Sequence, residues 1–296
     1  MSTWTLLRTI AVTASCAACA ASIDVDRFQY DPLAGGPQDP AAAAFSDLNL
    51  TFRSMLPHID QYFELRLLDR DSAVQAKVVL DQVVRPDFAV QLTGFVPKLN
   101  PPYRLDFWSD QNGGTTYSGN TGRSDLKDHG WRRRLEDPTS PEPRPVRPSV
   151  VPFEQGKFDF VFLHDTNFTD LFTDPDGKPV SFEDVLLDFD PTLVGIGANA
   201  GKTIEVRVTD VTSGRLLGVH RKGRAEASYH PRLSGLLDAA TSYAVQIYVD
   251  TDGNDRHETG EPSWSLSLVS TGAGIVDTID LASLPMKPIG AAVVAP

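Results

Sequence analysis

Apolar and polar side chains alternate with a period of two along most of this chain. Leu48-Asn49-Leu50-Thr51-Phe52, Phe63-Glu64-Leu65-Arg66-Leu67 and Tyr103-Arg104-Leu105-Asp106-Phe107 are the clearest runs, and residues 74–80, 88–92 and 158–162 continue the series. Alternation of this kind puts every second side chain on one face of an extended strand. The second half repeats the pattern at residues 185–189, 204–208, 216–220, 225–229, 243–249, 263–268 and 275–281. Turn residues separate the runs at short, regular intervals, which predicts antiparallel sheets with one buried and one wet face. The expected fold class is all-β: two tandem antiparallel β-sandwiches of the immunoglobulin or fibronectin-III kind. Helix is expected only as a turn near Pro97-Lys98-Leu99 or Asp238-Ala239-Ala240-Thr241.

The two halves are copies. Tyr62-Phe63-Glu64-Leu65-Arg66-Leu67-Leu68-Asp69 reads like Thr203-Ile204-Glu205-Val206-Arg207-Val208-Thr209-Asp210, and Leu92-Thr93-Gly94 like Leu233-Ser234-Gly235, both 141 positions later. Tyr103 to Asp110 matches Tyr243 to Asp250, Trp131 matches Trp264, and Gly156-Lys157-Phe158-Asp159 matches Gly274-Ile275-Val276-Asp277. A repeat of this length is a whole module rather than a solenoid unit. The expected division is a signal and lipobox region at residues 1–21, a flexible tether at 22–45, a first sandwich at 46–165, a linker at 166–183, a second sandwich at 184–285 and a tail at 286–296. The first copy carries a Pro-rich insertion between Glu136 and Pro152, expected to be an extended surface loop.

Two cysteines, Cys16 and Cys19, fall among small residues behind a short apolar patch, and the rest of the chain has none. Thiolate metal sites, thiol nucleophiles and disulfides are therefore excluded from the body. The leader reads as an export signal. Its small residues before a cysteine resemble the lipobox of bacterial lipoproteins, which implies lipidation at Cys19 or Cys16 and a place in the bacterial cell envelope. Plain secretion or a periplasmic location is the alternative. The net charge of −12 disfavours a nucleic-acid partner.

The strongest candidate for chemistry is the loop Asp250-Thr251-Asp252-Gly253-Asn254-Asp255-Arg256-His257-Glu258-Thr259-Gly260-Glu261. Oxygen donors at alternate positions suit calcium, with Asp250, Asp252, Asn254, the Arg256 carbonyl, Glu258 and Glu261 as the ligand set. An EF-hand would need Gly at Asp255 and an apolar residue at His257. The loop is more similar to the Asp-x-Asp-Gly-Asn loops of tandem immunoglobulin-like β-sandwich repeats in bacterial secreted proteins and lipoproteins. That resemblance implies either a calcium site or an acidic hairpin tip. The first copy has Asp110-Gln111-Asn112-Gly113 at this point, which keeps the turn residues and loses charge.

Other constellations are weaker. Asp128-His129-Gly130-Trp131 could offer a zinc ligand or a general base, yet the second copy has Glu261-Pro262-Ser263-Trp264, so a local structural role is expected. The arginines 132–134 are expected to alternate on an edge strand and discourage pairing. His58, His129, His164, His220, His230 and His257 show no local pairing. Gly197 to Thr203 ends like a phosphate loop, but Lys202-Thr203 runs into a strand pattern rather than a helix. Trp131 and Trp264 are read as core residues, with sugar stacking as the alternative. The resulting expectation is a non-enzymatic, lipid-anchored structural or interaction protein that requires no cofactor. Its partner would be an unidentified protein or glycan. A calcium- or carbohydrate-binding module is the second expectation.

Overall fold

The computed structural model describes residues 44–69, 73–98, 103–115, 117, 128–135, 150–151, 153–154, 157–164, 186–254 and 260–286. The first copy contributes β1 (Phe45–Arg53), β2 (Phe63–Leu68), β3 (Val74–Leu80), β4 (Phe88–Pro97), β5 (Arg104–Ser109), β6 (His129–Leu135), β7 (Val150–Val151), β8 (Phe153–Glu154) and β9 (Lys157–Leu163). The second contributes β10 (Leu187–Phe189), β11 (Thr192–Val194), β12 (Thr203–Asp210), β13 (Leu216–Lys222), β14 (Leu233–Leu237), β15 (Ser242–Asp250), β16 (Ser263–Val269) and β17 (Thr278–Asp280). The all-β expectation holds. The signal, residues 22–43 of the tether, the linker, most of the Pro-rich insertion, and residues 287–296 of the tail lie outside the described residues, and Phe45, placed at the end of the tether, already belongs to β1.

Strand by strand, the repeat is structural. Short 3-10 turns occupy Leu56–His58 and Gly197–Asn199, the same place in both copies. Near 238–241, the site of an expected helical turn, residues 239–240 form a turn that is not helical; of the other expected site, residue 99 lies outside the described residues. Gly94 and Gly235 both adopt left-handed backbone, at φ 63° and 60°. Each donates its amide to a carboxylate on the neighbouring strand, Gly94 to Asp47 at 2.8 Å and Gly235 to Asp188 at 2.9 Å. Asp47 and Asp188 are themselves repeat equivalents. Two expectations need correction. Residues 225–229 form no strand: Tyr229 makes only an isolated bridge to Leu193, and the strand of that region is β14. The final strand aligns one residue short of the sequence match, because Leu48 pairs with Phe158 where Phe189 bridges Ile275.

The copies are welded into one sheet. Its order is β16-β15-β12-β13-β3-β2-β5-β6-β7, and β13 and β3 meet in parallel. Within each copy Leu65 pairs with Val78 and Val206 with His220, so His220 is the counterpart of Val78. Across the seam, however, His220 pairs with Val79 and Val219 with Val78. This slip of one residue sets inner-face positions of one copy beside outer-face positions of the other, because strand side chains have a period of two.

As a result the two cores lie on opposite faces of the shared sheet. Trp131, Phe107, Leu65, Val78 and Val219 run along one row and belong to the first core. Val79, Val206 and Ile247 run along the adjacent row and belong to the second. The sheet β4-β1-β9-β8 covers the first core. The pairs β10-β14 and β11-β17 cover the second, and a side chain at Gly218 would strike Leu233 and Leu236. Where one copy's core row continues into the other, it meets buried polar residues. Glu64 pairs with Arg66, and its counterpart Glu205 pairs with Arg207 and Arg221. Burial opposes ionisation of Glu64, but Arg66, Lys77 and the Tyr62 hydroxyl outweigh it and hold its pKa below the ordinary value.

Candidate functional site

Three histidines from distant segments meet at one end of the first sandwich. His58 closes the 3-10 turn Leu56–His58, His129 opens β6, and His164 follows β9. Pro57 presets the turn, and the His58 amide donates to the Met55 carbonyl at 2.9 Å. The turn drops the His58 ring into the protein, where it is fully buried. His58 Nε2 lies 3.0 Å from His164 Nε2 and 3.3 Å from His129 Nδ1. One nitrogen from each ring falls within 4.8 Å of the others. Trp131 floors the cluster, with its ring centroid 5.5 Å from His58, 5.8 Å from His164 and 6.0 Å from His129.

The tautomer of His58 is set from behind. The Ser109 hydroxyl donates to Gln61 Oε1 at 2.8 Å, and Gln61 Nε2 donates to the Pro57 carbonyl at 3.3 Å. Gln61 Oε1 is thus fixed as an acceptor, and the His58 Nδ1–H donates to it at 2.8 Å. The lone pair of His58 is left on Nε2, facing the other two rings. Burial, together with His164 and His129, lowers the His58 pKa to about 4 against the opposing effect of Gln61, so this imidazole is neutral at physiological pH.

Sequence reasoning missed this cluster. It set His129 beside Asp128 and dismissed the pair because the second copy lacks it. In the structure the Asp128 carboxylate accepts the Gln111 amide at 3.1 Å, and the companions of His129 are His58 and His164. The signal was present in the repeat, read in the opposite sense. Pairing places Asn199, Pro262 and Leu281 at the three equivalent positions, and Lys202 at that of Gln61. Three imidazoles and their supporting acceptor are all peculiar to the first copy.

The acidic loop gives a mixed result. Asp250, Asp252 and Glu261 bring carboxylate oxygens within 4.8 Å of one another. Asp250 and Glu261 are buried, whereas Asp252 and Asn254 are exposed. Arg256 and Glu258 lie outside the described residues. The carboxylates serve the loop's own backbone: Asp250 accepts the Gly253 amide at 2.6 Å, Asp252 the Asn254 amide at 3.1 Å, and Glu261 the Thr251 amide at 2.6 Å. The first copy builds the same turn, with Asp110 accepting amides of Asn112, Gly113 and Thr115. Cations already occupy two carbonyls of the loop, Lys202 at Thr251 and Arg85, from the other copy, at Gly253.

One further reading holds and another changes in part. Trp131 and Trp264 are both buried in the cores, and no aromatic ring stands among the exposed large apolar residues described. Sugar stacking on either Trp is thereby ruled out. Two of the β6 arginines are engaged within the fold: Arg132 grips Asp106 with two nitrogens, and Arg133 lies over the rings of Phe160 and Phe162, while Arg134 is exposed. Nor is β6 an edge along its whole length, since β7 pairs with its last two residues.

No protein-family model matches the chain, and no curated protein matches it. Among solved structures it is similar to a mutant form of the shaft pilin SpaA from Lactobacillus rhamnosus GG. That match has 10% identity and a TM-score of 0.21, over 84% of this chain and 100% of that one. It is also similar to a candidate cell adhesion protein from Parabacteroides distasonis ATCC 8503. There the identity is 7% and the TM-score 0.21, over 83% of this chain and 92% of that one. Likenesses this distant carry no argument about function.

Proposed function

We propose that the chain is a non-enzymatic structural or interaction module of the bacterial cell envelope, exported and held to a membrane through Cys19 or Cys16. The observation that supports an interaction role is the open edge of the shared sheet. In the first copy β7 pairs with the outer side of β6. In the second copy the equivalent strand β16 ends the sheet, and no described strand pairs with its outer side. Its sequence, Ser263-Trp264-Ser265-Leu266-Ser267-Leu268-Val269, has no charge and no proline, the usual means of blunting an edge. Such a strand suits β-augmentation by an extended segment of another protein. The fused sheet would present that edge rigidly, because the copies share a hydrogen-bonded seam.

The test has two parts. Mass spectrometry of the mature N-terminus should find a diacylglyceryl cysteine; an unmodified Ala or Ser start removes the anchor. Hydrogen exchange should be fast at β16 in the purified protein and slow when the protein sits on intact cells. Equal exchange in both settings ends the interaction reading.

A second reading, calcium binding at the acidic loop, is favoured by the approach of Asp250, Asp252 and Glu261. Calorimetric titration with calcium decides it: heat that disappears in Asp252→Asn supports a site, and no heat and no rise in melting temperature removes it.

A further inference from the structure

We propose that His58, His129 and His164 form a binding site for one divalent transition-metal ion of the zinc type, present in the first copy alone. Geometry comes first. A tetrahedral ion with metal–nitrogen bonds of about 2.0–2.1 Å holds its ligand nitrogens ~3.3 Å apart. The His58–His129 separation is 3.3 Å and the His58–His164 separation 3.0 Å, so two edges of such a tetrahedron are already close to size. Three imidazoles leave the fourth position to a water or another outside donor, as in sites that keep one position open.

Ligand chemistry selects the ion. All three donors are imidazole nitrogens, which suit zinc, copper, nickel or cobalt and do not suit calcium or magnesium. The second observation is the support behind the ligands. Ser109 and Pro57 orient Gln61, and Gln61 accepts a hydrogen bond from the His58 Nδ1–H, so the Nε2 lone pair points at the site. An oriented acceptor on the far ring nitrogen is what metal-bound histidines ordinarily have. Access comes from the other side, where His129 and His164 are only half-buried. The third observation is the repeat. Drift in a structural corner would leave one or two odd residues, whereas Asn199, Pro262, Leu281 and Lys202 differ from all three ligands and from the supporting Gln61 together.

A bound ion would join segments 71 and 106 residues apart in the chain. It would tie the 3-10 turn to the start of β6 and to the end of β9. Its energetic effect is that of any ligand bound only by the folded state.

The experiment is calorimetric titration of the full-length protein, freed of metal with EDTA, with zinc chloride. Thermal melts with and without zinc and the visible spectrum of the cobalt(II) form accompany it. The variants are His129→Ala and His164→Ala, both at half-buried positions, with circular dichroism to show that they fold. Asp252→Asn serves as the control for the acidic loop. The expected result is one zinc per chain, a higher melting temperature with zinc, and intense visible cobalt bands of a four-coordinate site. Each His variant should weaken zinc by about 100-fold or more, and Asp252→Asn should leave it unchanged. Absence of zinc binding in the unmodified protein overturns the proposal. So does full affinity in both folded His variants, or loss of binding in Asp252→Asn.

Discussion

Acid should weaken this protein through His220, and the size of the effect follows from where the ring sits. His220 lies on β13 in the row of Val206 and Val79, buried, with its Nδ1 lacking a protein hydrogen bond. Burial lowers its pKa from 6.5 to about 4; Asp81 and Glu64 pull the other way, and Lys222 adds to the lowering. The Tyr229 ring packs 5.9 Å away. The unfolded chain takes up a proton at this position below about pH 6.5, while the folded chain resists until about pH 4. Proton uptake by the unfolded state costs the fold stability as pH falls through that window, at about 1.4 kcal/mol per pH unit. The total is about 3 kcal/mol, present above pH 6.5 and lost by pH 4. The counterpart in the first copy, Val78, shows the side chain that removes the effect. Urea titrations of the unmodified protein and of His220→Val, in EDTA, should agree within about 1 kcal/mol at pH 7.5 and diverge by about 3 kcal/mol at pH 4. His58 titrates in the same window in both proteins and cancels in the difference. Parallel stability curves for the two proteins across pH 7.5 to 4 would refute the reasoning.

Other outcomes follow from the same geometry. Gly94→Ala and Gly235→Ala should each cost about 1–2 kcal/mol in urea unfolding, since both positions need left-handed backbone. Equal stability would show that the backbone relaxes at both positions. Trp131→Ala should cost about 3–5 kcal/mol by the same assay, because the ring is buried against Phe107 and Phe162. Calorimetry should record one unfolding transition for the whole chain. A piece comprising residues 184–285 should be insoluble or unfolded, since it bares β13 and with it Leu216 and Val219, which belong to the first core. Two independent transitions would count against the welded seam.

Strand content, the duplication and the identity of the core residues were legible in the chain because each is local. Period-two alternation names the inward positions wherever a sheet has one dry face, and Trp131, Trp264, Leu65 and Val206 are all buried as that pattern requires; the wet face expected beside them is missing from β2 and β12, where Glu64, Arg66, Glu205 and Arg207 are buried as well. The repeat located Gly94 and Gly235 without revealing why both are glycine; the bond from Asp47 or Asp188 supplies the reason. The seam was not legible. Whether β3 and β13 pair, and with what register, depends on edges that the strand pattern leaves equivalent, and a slip of one residue decides which face each core occupies. The histidine cluster was hidden for a related reason. His58, His129 and His164 have no common spacing, and only the closure of the sandwich brings a turn, a strand start and a strand end to one point. Local periodicity is written residue by residue, whereas a site assembled from three distant segments exists only once the chain has packed.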